Sequence, residues 1–340
     1  MNILFLTRLF YPHIGGVERH VMEVSLRLIK NGHRVTVITE QIKDEKLHKE
    51  VNGISVYKIP QTTTGWFKKF FVWKWMWQYR SHLKKADVIH CHDVFFWYLP
   101  FRFLFPRKKV FVTFHGYESY PLSKKAVMMH KIAELLSIGN ICIGKFIQKW
   151  YGTKPTYVSY GGVKMANGKW QMANRMKRSA IFIGRLDDQT GITTYNAAFE
   201  RLLKRHPKFQ FCVIGDGVLG KSLSSKVKRK PFQANAIEYL KKYHIAFVSR
   251  YLSILEALSA RRPVIAVYDN PIKKDYLIQT PFRKFIHIAK NSSDVVKQVE
   301  HILSHEDSVK KQTEDGYHWA KSQSWEKVAE TYLLLWQHKK

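Results

Sequence analysis

The chain has 340 residues and is 45% hydrophobic, which excludes a disordered polymer and exceeds one typical core, so two domains of about 150 to 170 residues are expected. Its 57 Lys and Arg against 26 Asp and Glu leave a charge of +31, more than solubility requires, which points to a polyanionic partner or surface; nucleic acid and anionic lipid both qualify. The three cysteines, Cys91, Cys142 and Cys212, lie in apolar runs without metal-ligand spacing, which excludes a disulfide framework and points to reduced thiols in the cytosol.

Residues 1–7 form an apolar run closed by Arg8, too short for a secretory leader and read as a first strand. Further β-type runs follow at 34–39, 88–91, 110–114, 141–143 and 156–159, then at 180–183, 209–214, 245–248, 264–267 and 285–288. Helical patterns separate them. The first, entered through Gly15 and Gly16, sets Val21, Val24, Leu28 and Ile29 at helical spacing. This alternation predicts an α/β chain with two mostly parallel sheets covered by helices. The polar segment 163–178 is the expected linker between domains at 1–162 and 179–320. The longest apolar stretch, 94–106, is broken by Arg102 and falls short of the roughly 20 residues a spanning helix needs, so the chain is not an integral membrane protein.

Segment 65–85, GWFKKFFVWKWMWQYRSHLKK, holds four Trp, three Phe and six Lys or Arg with no acid. On a helix, Trp66, Phe70, Trp73 and Trp77 form one stripe suited to packing on a sheet, while Phe67, Phe71 and Trp75 fall away from it. The surplus aromatics, with Lys68, Lys69, Lys74 and Arg80, suit an anionic membrane interface. Trp66, Phe67, Lys68, Lys69 and Trp75 are accordingly the candidate membrane or acceptor side, with 94–106 as a second contact.

Open parallel sheets bind ligands at the carboxyl ends of their strands, so the residues that follow each strand carry the functional information. Gly15 and Gly16 allow backbone to approach a phosphate. DVIHCHD (87–93) and TFHG (113–116) place histidines at two more strand ends; without an accompanying carboxylate or thiolate set they do not read as a metal site, and His115 reads as a hydrogen-bond donor. In the second half, FIGRL (182–186) ends a strand on Arg185, suited to a phosphate, and VIGDG (213–217) turns tightly at Gly215, bringing backbone close to a ligand or a neighbouring helix. Segment 246–267, AFVSRYLSILEALSARRPVIAV, reads as strand, turn at Ser249 and Arg250, helix, Pro263 and strand. The start of that helix suits a diphosphate, and Glu256, a turn further in, suits sugar hydroxyls.

Taken in order, the glycine pair with Glu18, DVIHCHD, TFHG, VSYGGV (158–163), FIGRL, VIGDG, LEAL with PVIA, and SWEKVAETYL (324–333) resemble the family 4 glycosyltransferases over nearly the whole chain. The resemblance implies the GT-B fold, two Rossmann-like doubly wound parallel-sheet domains facing a cleft, with the last helix, about 320–338, crossing back onto the first domain. It implies a retaining, metal-independent, hexosyl-type transferase that uses a nucleotide-diphosphate sugar as donor substrate and no cofactor. His115 and Arg185 would be catalytic, Arg185 and Gly16 would lie at the diphosphate, and Glu256 would bind the ribose. An acceptor that is lipid-linked or a cell-surface glycan, at the cytoplasmic face of the membrane, follows when the basic aromatic segment is added.

Two family features are missing. Thr190 falls where a lysine is usual, and Val248 falls where the first of two glutamates is usual, with the intervening loop shortened. The backbone N–H groups of Leu252, Ser253 and Ile254 are candidates to hold the donor in place of that loop, and Arg250, Lys273 and Lys274 to supply the cation that Thr190 does not. A non-catalytic relative and a nucleic-acid-binding protein are the alternatives. The latter leaves the strand-end motifs without a purpose, and no specific nucleic-acid partner is expected.

Overall fold

The computed structural model describes residues 1–13, 15–42, 45–61, 67–165, 176–233 and 235–338. The chain divides into two compact units, one of Met1–Gly161 with Trp325–Lys340 and one of Gly162–Ser324.

The first unit is built on eight strands: β1 (Asn2–Thr7), β2 (Arg34–Glu40), β3 (His48–Val51), β4 (Ile54–Ile59), β5 (Val88–His92), β6 (Lys109–Phe114), β7 (Gly139–Ile143) and β8 (Tyr157–Ser159). Their order is β3-β4-β2-β1-β5-β6-β7-β8, and every pair is parallel except the β3/β4 hairpin. Helices α1 (Gly16–Lys30), α2 (Phe67–Gln78), α3 (Arg80–Lys85), α4 (Phe95–Leu104), α5 (Lys124–Leu136) and α6 (Phe146–Tyr151) connect them. Strands β5 and β7 are buried at every residue, as expected where helices cover both faces of a parallel sheet.

The second unit has six parallel strands: β9 (Met176–Ile183), β10 (Gln210–Ile214), β11 (Lys228–Lys230), β12 (Tyr243–Phe247), β13 (Val264–Val267) and β14 (His287–Ala289), in the order β11-β10-β9-β12-β13-β14. Its helices are α7 (Ile192–Arg205), α8 (Ala236–Leu240), α9 (Tyr251–Ser259), α10 (Pro271–Ile278), α11 (Ser292–Ser304) and α12 (Glu306–Lys321). The last helix, α13 (Trp325–Gln337), belongs to the first unit and packs on α1, β7 and β8 through buried Trp325, Tyr332, Leu335 and Trp336.

Three strands escape the sequence reading, two of them for a physical reason. β3 and β11 are exposed edge strands, HKEV and KRK, whose charge blunts the sheet edge but leaves no apolar run to detect. β4 alternates buried Ile54 and Val56 with half-buried neighbours. The expected linker also ends early, since β9 begins at Met176 and most of 163–178 lies outside the described residues.

Each sheet has a switch point, where successive connections leave a central strand in opposite directions: β1 and β5 in the first unit, β9 and β12 in the second. Doubly wound sheets hold their ligands in the crevice expected at such a point, outside the strands' carboxyl ends.

Candidate functional site

Beside the β9/β12 switch point, the turns that follow β9 and its other neighbour β10 lock together. Beyond β9, the Gly184 N–H donates to the Ile214 carbonyl at 3.1 Å and the Leu186 N–H to the Asp216 carbonyl at 2.9 Å, so the ladder runs on past the strands. A Cβ on Gly215 would lie 1.9 Å from the Gly184 carbonyl oxygen, and one on Gly217 2.4 Å from that of Leu186. The role visible for Gly215 is therefore the close packing of one turn on the other, which presents Arg185. The Arg185 side chain is half exposed, with Nε 3.2 Å from Asp187 Oδ2.

From β12 the chain passes through Val248, Ser249 and Arg250 directly into α9. The first helical turn holds N–H groups with no intrahelical acceptor. Two of the candidates fit that position and one does not. The Tyr251 N–H donates to Tyr276 Oη at 2.8 Å, and the Ile254 N–H donates to the Arg250 carbonyl at 2.9 Å. Ile254 is thereby withdrawn from the donor-contact set: it is fully buried and its amide closes the first helical ring. Leu252 and Ser253 keep the amides directed along the helix axis, where the dipole favours an anion. Ser253 Oγ donates to the Ile183 carbonyl at 3.4 Å, which ties this turn to the end of β9 beside Arg185. Glu256 follows one turn in and is only 8% exposed, so it is not a solvated helix residue.

Thr190 shows why its position offers no cation to the site. It is buried in a 3-10 turn, and its hydroxyl donates to the Asp187 carbonyl at 2.7 Å. Among the candidate replacements, Arg250 donates to Gln189 Oε1, while Lys273 is buried with Nζ 2.6 Å from the Ser249 carbonyl.

In the first unit, Gly15 and Gly16 lead into α1 beside the β1/β5 switch point. A Cβ on Gly16 would meet nothing within 4 Å, whereas one on Gly15 would approach the Glu18 carboxylate, which pairs with His13 Nδ1 at 2.9 Å. The ends of β5 and β6 carry a histidine cluster. The Trp336 indole N–H donates to His90 Nδ1 at 3.0 Å. His90 Nε2 must then bear its proton, and it donates to Thr113 Oγ1 at 2.7 Å. Hydroxyl contacts of 2.9 Å continue this chain through Tyr332 to His20 Nε2.

His92 Nδ1 lies 2.9 Å from His115 Nε2, while His92 Nε2 is buried without a partner. An orphaned N–H costs more than an orphaned lone pair, which assigns the shared proton to His92 and makes His115 the Nδ1–H tautomer, a neutral donor. Burial, and then the neighbouring histidines, hold His92 and His115 well below the ordinary histidine range. Burial alone takes His20 down to about 3.

Sequence reasoning passed over Asp93. It takes the left-handed conformation at φ 62° and accepts the His115 N–H at 2.9 Å, so it fixes the backbone of the histidine strand end. Desolvation pushes its carboxyl up to about 7 against that hydrogen bond, although its exposed edge lets water offset part of the shift. The DVIHCHD motif contained the residue, but nothing local marked its conformation. A basin of about 860 Å³ lined by Met1, Asp87, Arg107 and Trp336 opens at the amino-terminal edge of the same sheet, away from these strand ends.

Two family models match the chain, Glycosyltransferase Family 4 over residues 14–149 and Glycosyl transferases group 1 over residues 169–319. The chain belongs to the family 4 glycosyltransferases. The phosphatidylinositol N-acetylglucosaminyltransferase gpi3 subunit of Schizosaccharomyces pombe is 25% identical over 226 residues, 61% of this chain and 49% of that protein, so the match spans about half of the relative's length. Sucrose-phosphate synthase from Thermosynechococcus elongatus superposes with a TM-score of 0.76 at 14% identity, covering 99% of this chain and 98% of that one. Anabaena HepE in complex with UDP and glucose superposes with a TM-score of 0.69 at 13% identity, covering 98% of each chain. The fold is GT-B.

In this family 4 glycosyltransferase the basic aromatic segment is arranged differently from the expected stripe. α2 buries Val72, Trp75 and Met76, which share one helix face, and leaves Phe67 (78% exposed), Phe70 and Trp77 outside. Counting aromatics alone missed Val72 and Met76. Trp75 is corrected from the membrane side to the core, where it stacks on Tyr79 at 4.1 Å. Lys68 pairs with Glu40 at 2.9 Å, Lys69 lies 5.7 Å from the Phe96 ring centre, and Trp66 lies outside the described residues. The neighbouring α4 buries Phe95, Trp97 and Phe101 and exposes Phe103 and Leu104. No helix among the described residues is long and apolar enough to cross a membrane.

Proposed function

We propose that the chain is a retaining, metal-independent, hexosyl-type glycosyltransferase that moves a sugar from a nucleotide-diphosphate sugar to a lipid-linked or cell-surface glycan acceptor at the cytoplasmic face of a membrane. The observation that carries the donor side is the tie between Ser253 Oγ and the Ile183 carbonyl, which brings the amide-bearing start of α9 beside Arg185. Arg185 and the Leu252 and Ser253 amides stabilise the charge that develops on the departing diphosphate, a fixed electrostatic arrangement that needs no reorganisation during the reaction. Glu256 accepts hydrogen bonds from the ribose hydroxyls, and Gly16 leaves its side-chain volume open for approach to the donor. His115, neutral, donates to the transferred sugar without adding a competing charge.

The names of similar proteins support this reading: one acts in N-acetylglucosaminyl transfer to phosphatidylinositol, and another was crystallised with UDP and glucose. On the acceptor side, Phe67, Phe70 and Trp77 of α2 with Phe103 and Leu104 of α4 form exposed apolar ground among Lys69, Lys74 and Arg80, a composition suited to anionic lipid.

Thermal-shift titration with UDP-, GDP- and ADP-sugars tests the donor site, since a ligand of the native state raises its stability. One nucleotide sugar is expected to give a saturable shift that Arg185→Ala weakens by about 10- to 100-fold in affinity. No shift with any of them refutes the reading.

A further inference from the structure

We propose that Lys273 is the buried counter-charge of the donor diphosphate, supplied from α10 in place of the cation that Thr190 does not provide; this rests on reading the β9/β12 crevice as a donor site. A lysine only 2% exposed is unusual and costly. Its Nζ donates to the Ser249 carbonyl at 2.6 Å and lies 4.3 Å from the centre of the Tyr276 ring. Ser249 belongs to the turn that enters α9, so the ammonium sits under the turn that presents the Leu252 and Ser253 amides.

That turn is held from three other directions. Ser249 Oγ accepts the Val267 N–H at 2.9 Å and lies 2.6 Å from Tyr195 Oη, which itself donates to the Ile265 carbonyl. Tyr276 accepts the Tyr251 N–H, its carbonyl accepts the Tyr251 hydroxyl at 2.6 Å, and the two rings stack at 3.8 Å. The mechanical clamp between α9 and α10 is thus already complete through the tyrosines. Beyond the hydrogen bond to the Ser249 carbonyl, a charge adds nothing to it that an apolar chain of similar length would lack.

The charge is also poorly compensated in the protein alone. Burial, and then Arg250, hold Lys273 well below the ordinary lysine range, and Asp269 and Asp187 oppose this only in part. Asp187 is itself engaged by Arg185. A bound diphosphate supplies the missing negative charge beside Arg250 and Arg185, and it favours the protonated amine. Lys273 is a positioning residue for the diphosphate: it acts through the Ser249 carbonyl and through its field.

The test titrates UDP, GDP and ADP into wild type, Lys273→Met and Lys273→Arg, with the matching nucleosides as phosphate-free controls. Lys273→Met is expected to weaken the nucleoside diphosphate by about 10- to 100-fold while changing nucleoside affinity by no more than about twofold, and Lys273→Arg to restore most of the loss. Wild-type affinity should fall with rising pH, beginning below the ordinary lysine range, because the anion prefers the ammonium; Lys273→Met should lack this alkaline fall. Equal binding of the diphosphate by wild type and Lys273→Met, or equal loss for diphosphate and nucleoside, overturns the proposal. If Lys273→Met does not fold, a wild-type profile without the alkaline fall overturns it. Failure of wild type to bind any nucleoside diphosphate refutes the donor-site reading instead.

Discussion

Gly16 and Gly215 look alike in sequence, each at a turn between a strand and a helix, yet their surroundings differ. A Cβ at Gly215 would press on the Gly184 carbonyl, a backbone atom that cannot step aside, whereas a Cβ at Gly16 would enter open space. Gly215→Ala is therefore expected to cost about 1 to 3 kcal/mol or more, visible as a fall of several degrees in melting temperature. Gly16→Ala should leave the melting temperature near that of wild type and weaken nucleotide-sugar binding. Wild-type stability in Gly215→Ala would show that the two turns separate more readily than their hydrogen bonds indicate. At this scale the sequence shows which residue types stand at strand ends, but not which group each one meets.

The same limit holds for elements. The hydrophobic period located α1, which has one apolar face, whereas α9, buried on nearly every side, was located by the strands that flank it. Aromatic spacing misassigned the faces of α2, where eight of twelve positions are apolar or aromatic and fall all round the helix. Packing against α3 and α4 goes with the choice of face, which turns Val72, Trp75 and Met76 inward. Two substitutions separate the faces. Trp75→Ala should cost about 3 to 5 kcal/mol, as expected for a large buried aromatic, and appear in denaturant unfolding. The triple change Phe67→Ser, Phe70→Ser and Trp77→Ser should leave stability nearly unchanged and abolish most binding to anionic vesicles in sedimentation. Undiminished vesicle binding by the triple variant would remove α2 as the membrane contact.

For the whole molecule, the histidine cluster makes the first unit sensitive to acid. His20, His90, His92 and His115 are held below the unfolded value of 6.5, so the unfolded chain binds more protons and stability falls as pH drops below about 6.5. Each contributes up to about 1.4 kcal/mol per pH unit in that range. Asp93 titrates in the opposite sense, one proton against four. Unfolding in urea, followed by fluorescence from tryptophans that lie mostly in the first unit, should show a lower midpoint at pH 5.5 than at pH 7.5. A midpoint independent of pH would mean that the cluster is hydrated in solution.

By itself the sequence determined that the chain is α/β with two parallel sheets and that its strand-end motifs are those of family 4, because strand and helix periods and turn glycines are local properties. It also placed Arg185, the start of α9 and Glu256 in one functional set through the order of those motifs. Only the tertiary structure decided that Glu256 is buried, that Trp75 is core, and that Lys273 rather than another cation lies under the Ser249 turn. The physical reason is range: burial, hydrogen-bond partners and charge compensation arise between residues far apart in the chain, which the two sheets and the helices on them bring together.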